Sequence, residues 1–145
     1  MAEQTSQARP VEELYAALNR QDLGAFDKIV AEEVEYTDFA IDGTIRGRDA
    51  FKKHFKNWWT AFPKGSGEIR NLIVLDDQVV VEVLGRGNHT GPFETGQGWI
   101  EPTNRMFELH FCQIFRVKNG LIVGGHSYSD AFKLLEGLSE KRKVA

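Results

Sequence analysis

A long β-hairpin over residues 105–130 constrains the fold of this chain more than any other stretch. Two runs rich in β-branched and aromatic residues flank Asn119-Gly120, and both of these residue types accept the positive φ that a tight reversal requires. Each run is about twice the usual strand length of about 5–6 residues, so the paired strands must twist and bend. Gly124-Gly125 marks a point where the second strand can kink or bulge. The sequence therefore predicts a curved sheet with a concave face.

Composition favours a single domain and excludes several classes of function. The 145 residues include 41% hydrophobic side chains, and the net charge of −3 gives no broad positive field for nucleic acid or an anionic membrane. The single Cys112 cannot form an internal disulfide, and no cluster of Cys and His has the spacing of a metal site. No apolar run reaches the ~18 residues of a membrane span, and the first residues lack the apolar core of a signal peptide. We expect a cytoplasmic protein without metal, nucleic acid or membrane, in which ten Phe and three Trp wall a cavity as well as fill a core.

Three helices are predicted in the first part of the chain. Residues 1–9 are polar and are expected to form a disordered tail, and a helix runs from Pro10 to about residue 20. Asp22 has the position of an N-cap for a shorter second helix. After a loop over residues 40–47, a third helix is predicted from about Asp49 to Phe62. This helix carries a stripe of rings, typical of a core or a pocket wall, with His54 at its edge: Phe51, Phe55, Trp58, Trp59 and Phe62.

Strand patterns place titratable residues on apolar faces. Asp38 lies on the apolar face of a strand over residues 33–39, and His89 lies on that of a strand over residues 79–89, which pairs with a strand over 68–75.

The second arm of the long hairpin adds three candidates. Period-two alternation places His126, Tyr128 and Asp130 on the same face as Ile122. On the first arm, His110 alternates with charged residues and is expected on the outer face.

The rest of the chain is a loop, a helix and a tail. The loop over residues 90–104 is longer than most connections, so we interpret it as a flap that Phe93 and Trp99 close over a pocket. A helix is predicted over residues 131–138, and 139–145 is a polar tail. Helices grouped on one side of a bent antiparallel sheet define an α+β class, because an alternating βαβ pattern is missing.

A set of short motifs spans about residues 10–138, the predicted single domain. They are Tyr36-Thr37-Asp38 leading through Gly43 and Gly47 into Phe51; Asn88-His89-Thr90-Gly91-Pro92-Phe93; Pro102-Thr103-Asn104-Arg105; Ile114-Phe115-Arg116 with Asn119-Gly120-Leu121-Ile122-Val123; and Tyr128-Ser129-Asp130 before Leu134-Leu135. Together they resemble the SnoaL-like polyketide cyclases of the nuclear transport factor 2-like superfamily. The resemblance implies a cone-shaped, cystatin-like roll in which three N-terminal helices pack on a strongly curved antiparallel sheet and enclose a pocket. It also implies a homodimer.

The same resemblance implies roles for individual residues. Asp38 matches the position of the proton-abstracting carboxylate in ketosteroid isomerase relatives, Asp130 resembles the carboxylate of the family's closing strand, and His89 resembles the family's frequent His-Thr-Gly. The chain departs from the pattern at His126-Ser127, where the family usually carries Trp-Asp. It also lacks the Arg-x-Asp pair of the limonene-type epoxide hydrolases.

Cyclases of this kind remove a proton next to a carbonyl and close a ring by an aldol step. A carboxylate in an aromatic pocket serves as base because desolvation raises its pKa, and Asp38 or Asp130 fits that role. His126, His89 and Tyr128 are the candidate donors to the enolate oxygen. Structural alternatives are open: a turn carboxylate for Asp38, an N-cap for Asp130 and a core histidine for each imidazole.

The sequence thus supports a cofactor-independent cyclase or isomerase acting on a polyketide-like or other small hydrophobic oxygenated substrate. A dehydratase, a ketosteroid isomerase-like enzyme and a non-catalytic ligand-binding module are the alternatives. A purely structural dimer domain would pack through Met106, Cys112 and Ile114. The candidate substrate contacts are Tyr36, Tyr128, Trp59, Phe55, Tyr15, Phe93, Trp99 and Gln113.

Overall fold

The structure is a computed structural model that describes residues 2–40, 43–95 and 98–138; the predicted tail over 139–145 lies outside them. The helices are α1 (Ala2–Arg20), α2 (Phe26–Ile29), α3 (Arg48–Ala61) and α4 (Ala131–Leu138), with a 3-10 turn at Leu23–Ala25. The strands are β1 (Val30–Asp38), β2 (Gly43–Arg46), β3 (Ser66–Leu75), β4 (Gln78–Asn88), β5 (Phe93–Thr95), β6 (Gly98–Ile100), β7 (Met106–Lys118) and β8 (Leu121–Ser129).

Six strands form one sheet in the order β2-β1-β8-β7-β4-β3, and β5 pairs with β6 in a separate ribbon. The sheet curves where bulges interrupt β3 and β8, and α1 and α3 pack on its inner face. This confirms the α+β class. The expectation of a wholly antiparallel sheet was wrong in one place, because β1 and β8 run parallel. A parallel pair needs a long crossover, and the chain between these two strands contains α3 and most of the sheet.

A predicted helix cap and one short strand have different outcomes. Asp22 accepts the Ala25 N–H at 3.2 Å through Oδ1 and so caps the 3-10 turn that leads into α2. The loop predicted over residues 40–47 contains β2, which pairs with β1 and was not predicted. A four-residue edge strand has too few alternating positions to register as a pattern.

Helix α1 includes residues 2–9, which the sequence predicted as a disordered tail. Gln7 anchors this turn, because its amide donates to the carbonyl oxygens of Asp76 at 3.1 Å and Val117 at 3.2 Å. Pro10 therefore lies inside the helix, where its missing N–H removes one backbone hydrogen bond. Tertiary contacts outweigh local propensity at this end of the chain.

The long hairpin forms as predicted, with Asn119 at φ 52° and Gly120 at φ 76° in the reversal. A bulge follows in β8. Val117 pairs with Ile122 and the preceding residue of β7 pairs with Gly124, which leaves Val123 without a partner. One extra residue moves every later side chain of the strand to the opposite face of the sheet.

The core consists of two apolar clusters with a gap between them. One cluster joins α1, β1 and the first turns of α3 to the inner sheet face, and the other joins the end of α3 to β5, β7 and α4. Along the inner face of β4 the residues change from Val79, Val81 and Val83 to Gly85 and Gly87. The valines fill the first cluster, and the glycines leave room beside it. None of the described helices has both the length and the apolar character needed to cross a membrane.

Candidate active site

A cavity of about 130 Å³ lies between the two apolar clusters. An engineered cavity of about 150 Å³ binds benzene, so a cavity of this volume has room for about one ring. Its far end holds buried Asp38 and His54, whereas Asn19 and Ser66 at the near end are exposed and mark the mouth. The walls are mainly rings, from Tyr15, Phe55, Trp58, Trp59, Phe62, Phe107 and Phe111.

A carboxylate and an imidazole face each other at the closed end. His54 Nε2 lies 3.3 Å from Asp38 Oδ2, and their side chains are 2% and 4% exposed. Asp38 is the last residue of β1 and follows Tyr36 on the inner face, and its Oδ1 accepts the Ala40 N–H at 2.9 Å. That hydrogen bond is an Asx turn that fixes the carboxylate where the strand ends. The Tyr36 ring packs against the imidazole of His54, with 5.5 Å between the ring centroids.

A hydrogen-bonded network forms the floor beside this pair. The Tyr15 hydroxyl donates to Gln113 Oε1. Gln113 Nε2 donates to the Tyr36 hydroxyl at 3.0 Å and to Ser127 Oγ at 3.4 Å. One amide therefore joins α1, β1, β7 and β8 beneath the cavity.

Both phenols of this network are shielded from water. Burial raises the pKa of Tyr15 above its ordinary value. Burial also raises the pKa of Tyr36 well above that of a free phenol, and the negative charge of Asp38 adds to the shift. Both hydroxyls stay protonated at neutral pH and therefore hold the floor as neutral hydrogen-bonding groups.

Five of the residues selected from sequence line the cavity: Asp38, Tyr15, Phe55, Trp59 and Gln113. Tyr36 lies directly behind them and reaches the site through Gln113. Four rings of the third helix thus form a pocket wall, and Phe51 packs in the core.

The second arm of the hairpin does not enter the cavity, so the predicted shared face was wrong. His126 is exposed and Tyr128 is 47% exposed on the outer face, where both rings pack near Phe39. Asp130 is exposed and caps α4, because its Oδ1 accepts the Lys133 N–H at 3.0 Å. The bulge in β8 explains the error for His126 and Tyr128, because alternation counted through it gives the wrong face.

His89 is fully buried but lies in the second cluster, outside the cavity lining. Thr103 contacts its Nδ1 twice, through the backbone N–H at 3.1 Å and through Oγ1 at 3.0 Å. The adjacent Thr90 and Gly91 donate their N–H groups to Ala61 O at the end of α3. The His-Thr-Gly motif therefore fastens the 90–104 loop to the fold, and burial lowers the pKa of His89.

The predicted closure of the flap by two rings was also wrong. Phe93 is fully buried against Trp58 and Phe62 in the second cluster, and Trp99 is 61% exposed. Neither side chain lines the cavity. His110 is exposed on the outer face, as predicted.

His54, the partner of Asp38, was not among the residues predicted for the site. His54 lies three residues after Phe51 and four before Trp58, so it belongs to the inward stripe of α3 and not to its edge. That spacing in the sequence would have predicted that His54 faces the cavity. Among the described residues, no three His, Cys, Asp or Glu side chains are placed to share a metal ion.

Comparisons with solved structures agree with this fold. A candidate SnoaL-like polyketide cyclase from Jannaschia sp. CCS1 is 16% identical, with a TM-score of 0.84 and coverage of 94% of each chain. IdmH from Streptomyces antibioticus, a candidate polyketide cyclase, is 25% identical, with a TM-score of 0.75 and coverage of 91% of this chain and 97% of the other. A LEH-like epoxide hydrolase from M. tuberculosis is 19% identical, with a TM-score of 0.71 and coverage of 94% and 91%. No curated protein is significantly similar in sequence.

The fold and the cavity define a nuclear transport factor 2-like α+β roll with a buried carboxylate–imidazole pair. A sequence model of the SnoaL-like polyketide cyclases matches residues 9–138, and the chain belongs to that family. Because the fold hosts several reactions, the chemistry has to be argued from the site.

Proposed function

We propose that this protein is a cofactor-independent cyclase or isomerase that moves protons on a small hydrophobic oxygenated substrate. The observation that carries the proposal is the pairing of Asp38 with His54 at the closed end of a ring-walled cavity. A buried carboxylate in such surroundings is a suitable base for a proton next to a carbonyl. IdmH and the Jannaschia protein, both candidate polyketide cyclases, support the same reaction class.

Asp38 takes the proton in the first step. The C–H bond next to a carbonyl breaks, its proton goes to the carboxylate, and its electron pair forms an enolate. In a cyclase the enolate carbon then attacks a second carbonyl of the same molecule, and the new alkoxide takes a proton back from Asp38 or His54. In an isomerase the proton returns to a different carbon. Neither route gains or loses atoms.

His54 supports the base in this scheme. An imidazole 3.3 Å from the carboxylate fixes its orientation and provides a second proton donor in the site. The backbone N–H of Ala40 holds the other carboxylate oxygen, so Asp38 has little freedom to rotate. Holding the base in place removes part of the entropic barrier to proton transfer.

The cavity walls favour a flat, largely apolar substrate. Seven of the lining side chains are aromatic, and the charged group at the closed end is the one assigned to proton transfer. Rings of a substrate stack on aromatic walls with offset or edge contacts that exceed simple burial. A polyketide-like molecule with one ring in the enclosed part meets these conditions.

Deuterium exchange tests the proposal without knowledge of the natural substrate. The protein is incubated in heavy water with a panel of enolisable cyclic ketones, and incorporation next to the carbonyl is followed by NMR. The proposal requires incorporation above the buffer rate for at least one ketone. If ketones bind but none of them takes up deuterium, the protein is instead a non-catalytic binding module.

We also propose a homodimer that forms through the outer face of the sheet. Ile114 lies in the middle of this face, beside His126, and the exposed rings of Phe39 and Tyr128 stack at 5.0 Å next to them. An exposed apolar and aromatic patch of this kind is typical of a protein–protein interface. A second copy presenting the same patch would bury it symmetrically.

A further inference from the structure

The cavity extends along β4 where glycines replace valines on the inner face of the strand. Val83 packs in the core and borders the cavity, and two residues later Gly85 lines it without a side chain. Gly85 pairs directly with Gly67 of β3, so two adjacent positions of the sheet present only backbone. Both glycines are partly exposed, which places them towards the mouth, away from the buried Asp38 and His54.

Each of these glycines touches a ring that walls the cavity. A Cβ added at Gly85 would lie 3.0 Å from Cε2 of Phe111, and one added at Gly67 would lie 3.2 Å from the Tyr15 ring. Those separations are too short for an ordinary contact, so the ring would have to move. The Phe111 ring also lines the cavity, and a shift away from a new methyl group at Gly85 takes space from the ligand.

We propose that Gly85 and Phe111 set the size limit of the ligand, and so determine substrate specificity at the mouth end of the cavity. The inference rests on the proposed function, because it takes the cavity as the substrate site. The cavity as a whole holds about one ring, and its mouth lies beside Gly67 and Gly85, so a larger ligand must extend over these glycines. The ligand class is therefore a fused flat ring system whose second ring lies over the bare backbone of Gly67 and Gly85.

Gly85 is a suitable position for a substitution because the nearest atom to an added Cβ belongs to the Phe111 side chain, which can move, and not to the backbone. At Gly87, by contrast, an added Cβ would lie 3.1 Å from the Cα of Gly65, so the backbone itself would have to shift. Gly85 does not have a positive φ, so alanine is compatible with the strand. Gly85→Ala should therefore fold and change the cavity only.

Calorimetric binding of phenol and 2-naphthol tests the proposal. The wild-type protein should bind both. Gly85→Ala should bind phenol within about threefold of wild type and 2-naphthol roughly tenfold or more weakly, in line with the cost of overpacking. Gly85→Ala combined with Phe111→Leu should recover 2-naphthol binding, because the smaller side chain returns the space. Gly24→Ala, at an exposed glycine outside the cavity, is the matched control.

Three results would overturn the size limit: equal weakening of both phenols in Gly85→Ala, unchanged 2-naphthol binding in that variant, or no binding of 2-naphthol to the wild-type protein. A thermal unfolding curve of each variant checks that the fold persists. Failure of ketone exchange with this binding pattern intact would count against the proposed chemistry and leave the size limit standing.

Discussion

His54 and Asp38 meet across the packing of α3 on β1, with Nε2 and Oδ2 3.3 Å apart and both side chains almost completely buried. Neither residue is close to the other in the chain, and each is held by its own element. The helix stripe turns the imidazole inward, and an Asx turn ends the strand at the carboxylate. The fold itself therefore places a carboxylate and an imidazole together in the cavity.

Replacement of the imidazole should destabilise the protein through Asp38. In His54→Phe the carboxylate keeps the Ala40 N–H but loses its buried partner, so we expect a loss of about 2–4 kcal/mol in the free energy of unfolding. Asp38→Asn combined with His54→Phe should be less destabilised than the sum of the single changes by about 1–3 kcal/mol. Urea unfolding of the four proteins measures this coupling.

The control cycle combines Asp38→Asn with His89→Asn, since His89 packs against Phe62 of the other apolar cluster. Those two changes should add to within about 0.5 kcal/mol. Additivity in the His54 cycle as well would mean that the buried pair is not coupled.

His89 should make the protein less stable in mild acid. Burial lowers the pKa of His89, so near the ordinary value of 6.5 the unfolded chain binds a proton that the folded chain does not. The stability that comes from keeping His89 neutral is fully present above about pH 6.5 and is lost as the pH falls below that value. The free energy of unfolding then decreases by at most about 1.4 kcal/mol per pH unit. His89→Asn keeps an acceptor for the Thr103 N–H but does not titrate, so its stability should fall less between pH 7 and pH 5.

A His89→Asn profile parallel to wild type would show that His89 does not titrate differently in the folded and unfolded chain.

A charge on the outer sheet face should separate the proposed homodimer. Ile114→Glu places a carboxylate in the middle of the patch, and two copies related by symmetry would bring two such charges together. Light scattering should give the mass of a dimer for wild type and of a monomer for the variant. Lys53→Glu, on the exposed side of α3, should remain dimeric. A monomeric wild-type protein at micromolar concentration would contradict the dimer itself.

Local sequence patterns predicted most of the fold because turns, helix caps and strand alternation depend on residues that are close together in the chain. The reversal at Asn119-Gly120 follows from the backbone freedom of two residues, and the Asp22 cap follows from one hydrogen bond. The inward position of Asp38 follows from alternation in an uninterrupted stretch of β1. In these cases no distant contact had to be known.

The candidate site was predicted less completely because two of its features depend on distant contacts. Alternation is reliable only within an unbroken strand, and the unpaired Val123 turned His126 and Tyr128 to the outer face. The bulge predicted at Gly124-Gly125 lies at Val123, directly before Gly124. A Cβ at Gly125 would lie 2.5 Å from Ile114 O, so the strands approach too closely there for a side chain. The face on which the later side chains lie depends on the pairing register with β7, which the pattern of β8 alone does not contain.

Deuterium exchange in Asp38→Asn and Asp130→Asn tests the central claim most directly. These two carboxylates were equal candidates in sequence, and the structure places one in the cavity and the other at an exposed helix cap where asparagine also serves. With a ketone that wild type exchanges, Asp38→Asn should lose roughly 100-fold or more in rate, as expected for removal of a general base, and Asp130→Asn should exchange at the wild-type rate. Unchanged exchange in a folded Asp38→Asn protein would contradict the assignment of this carboxylate as the base.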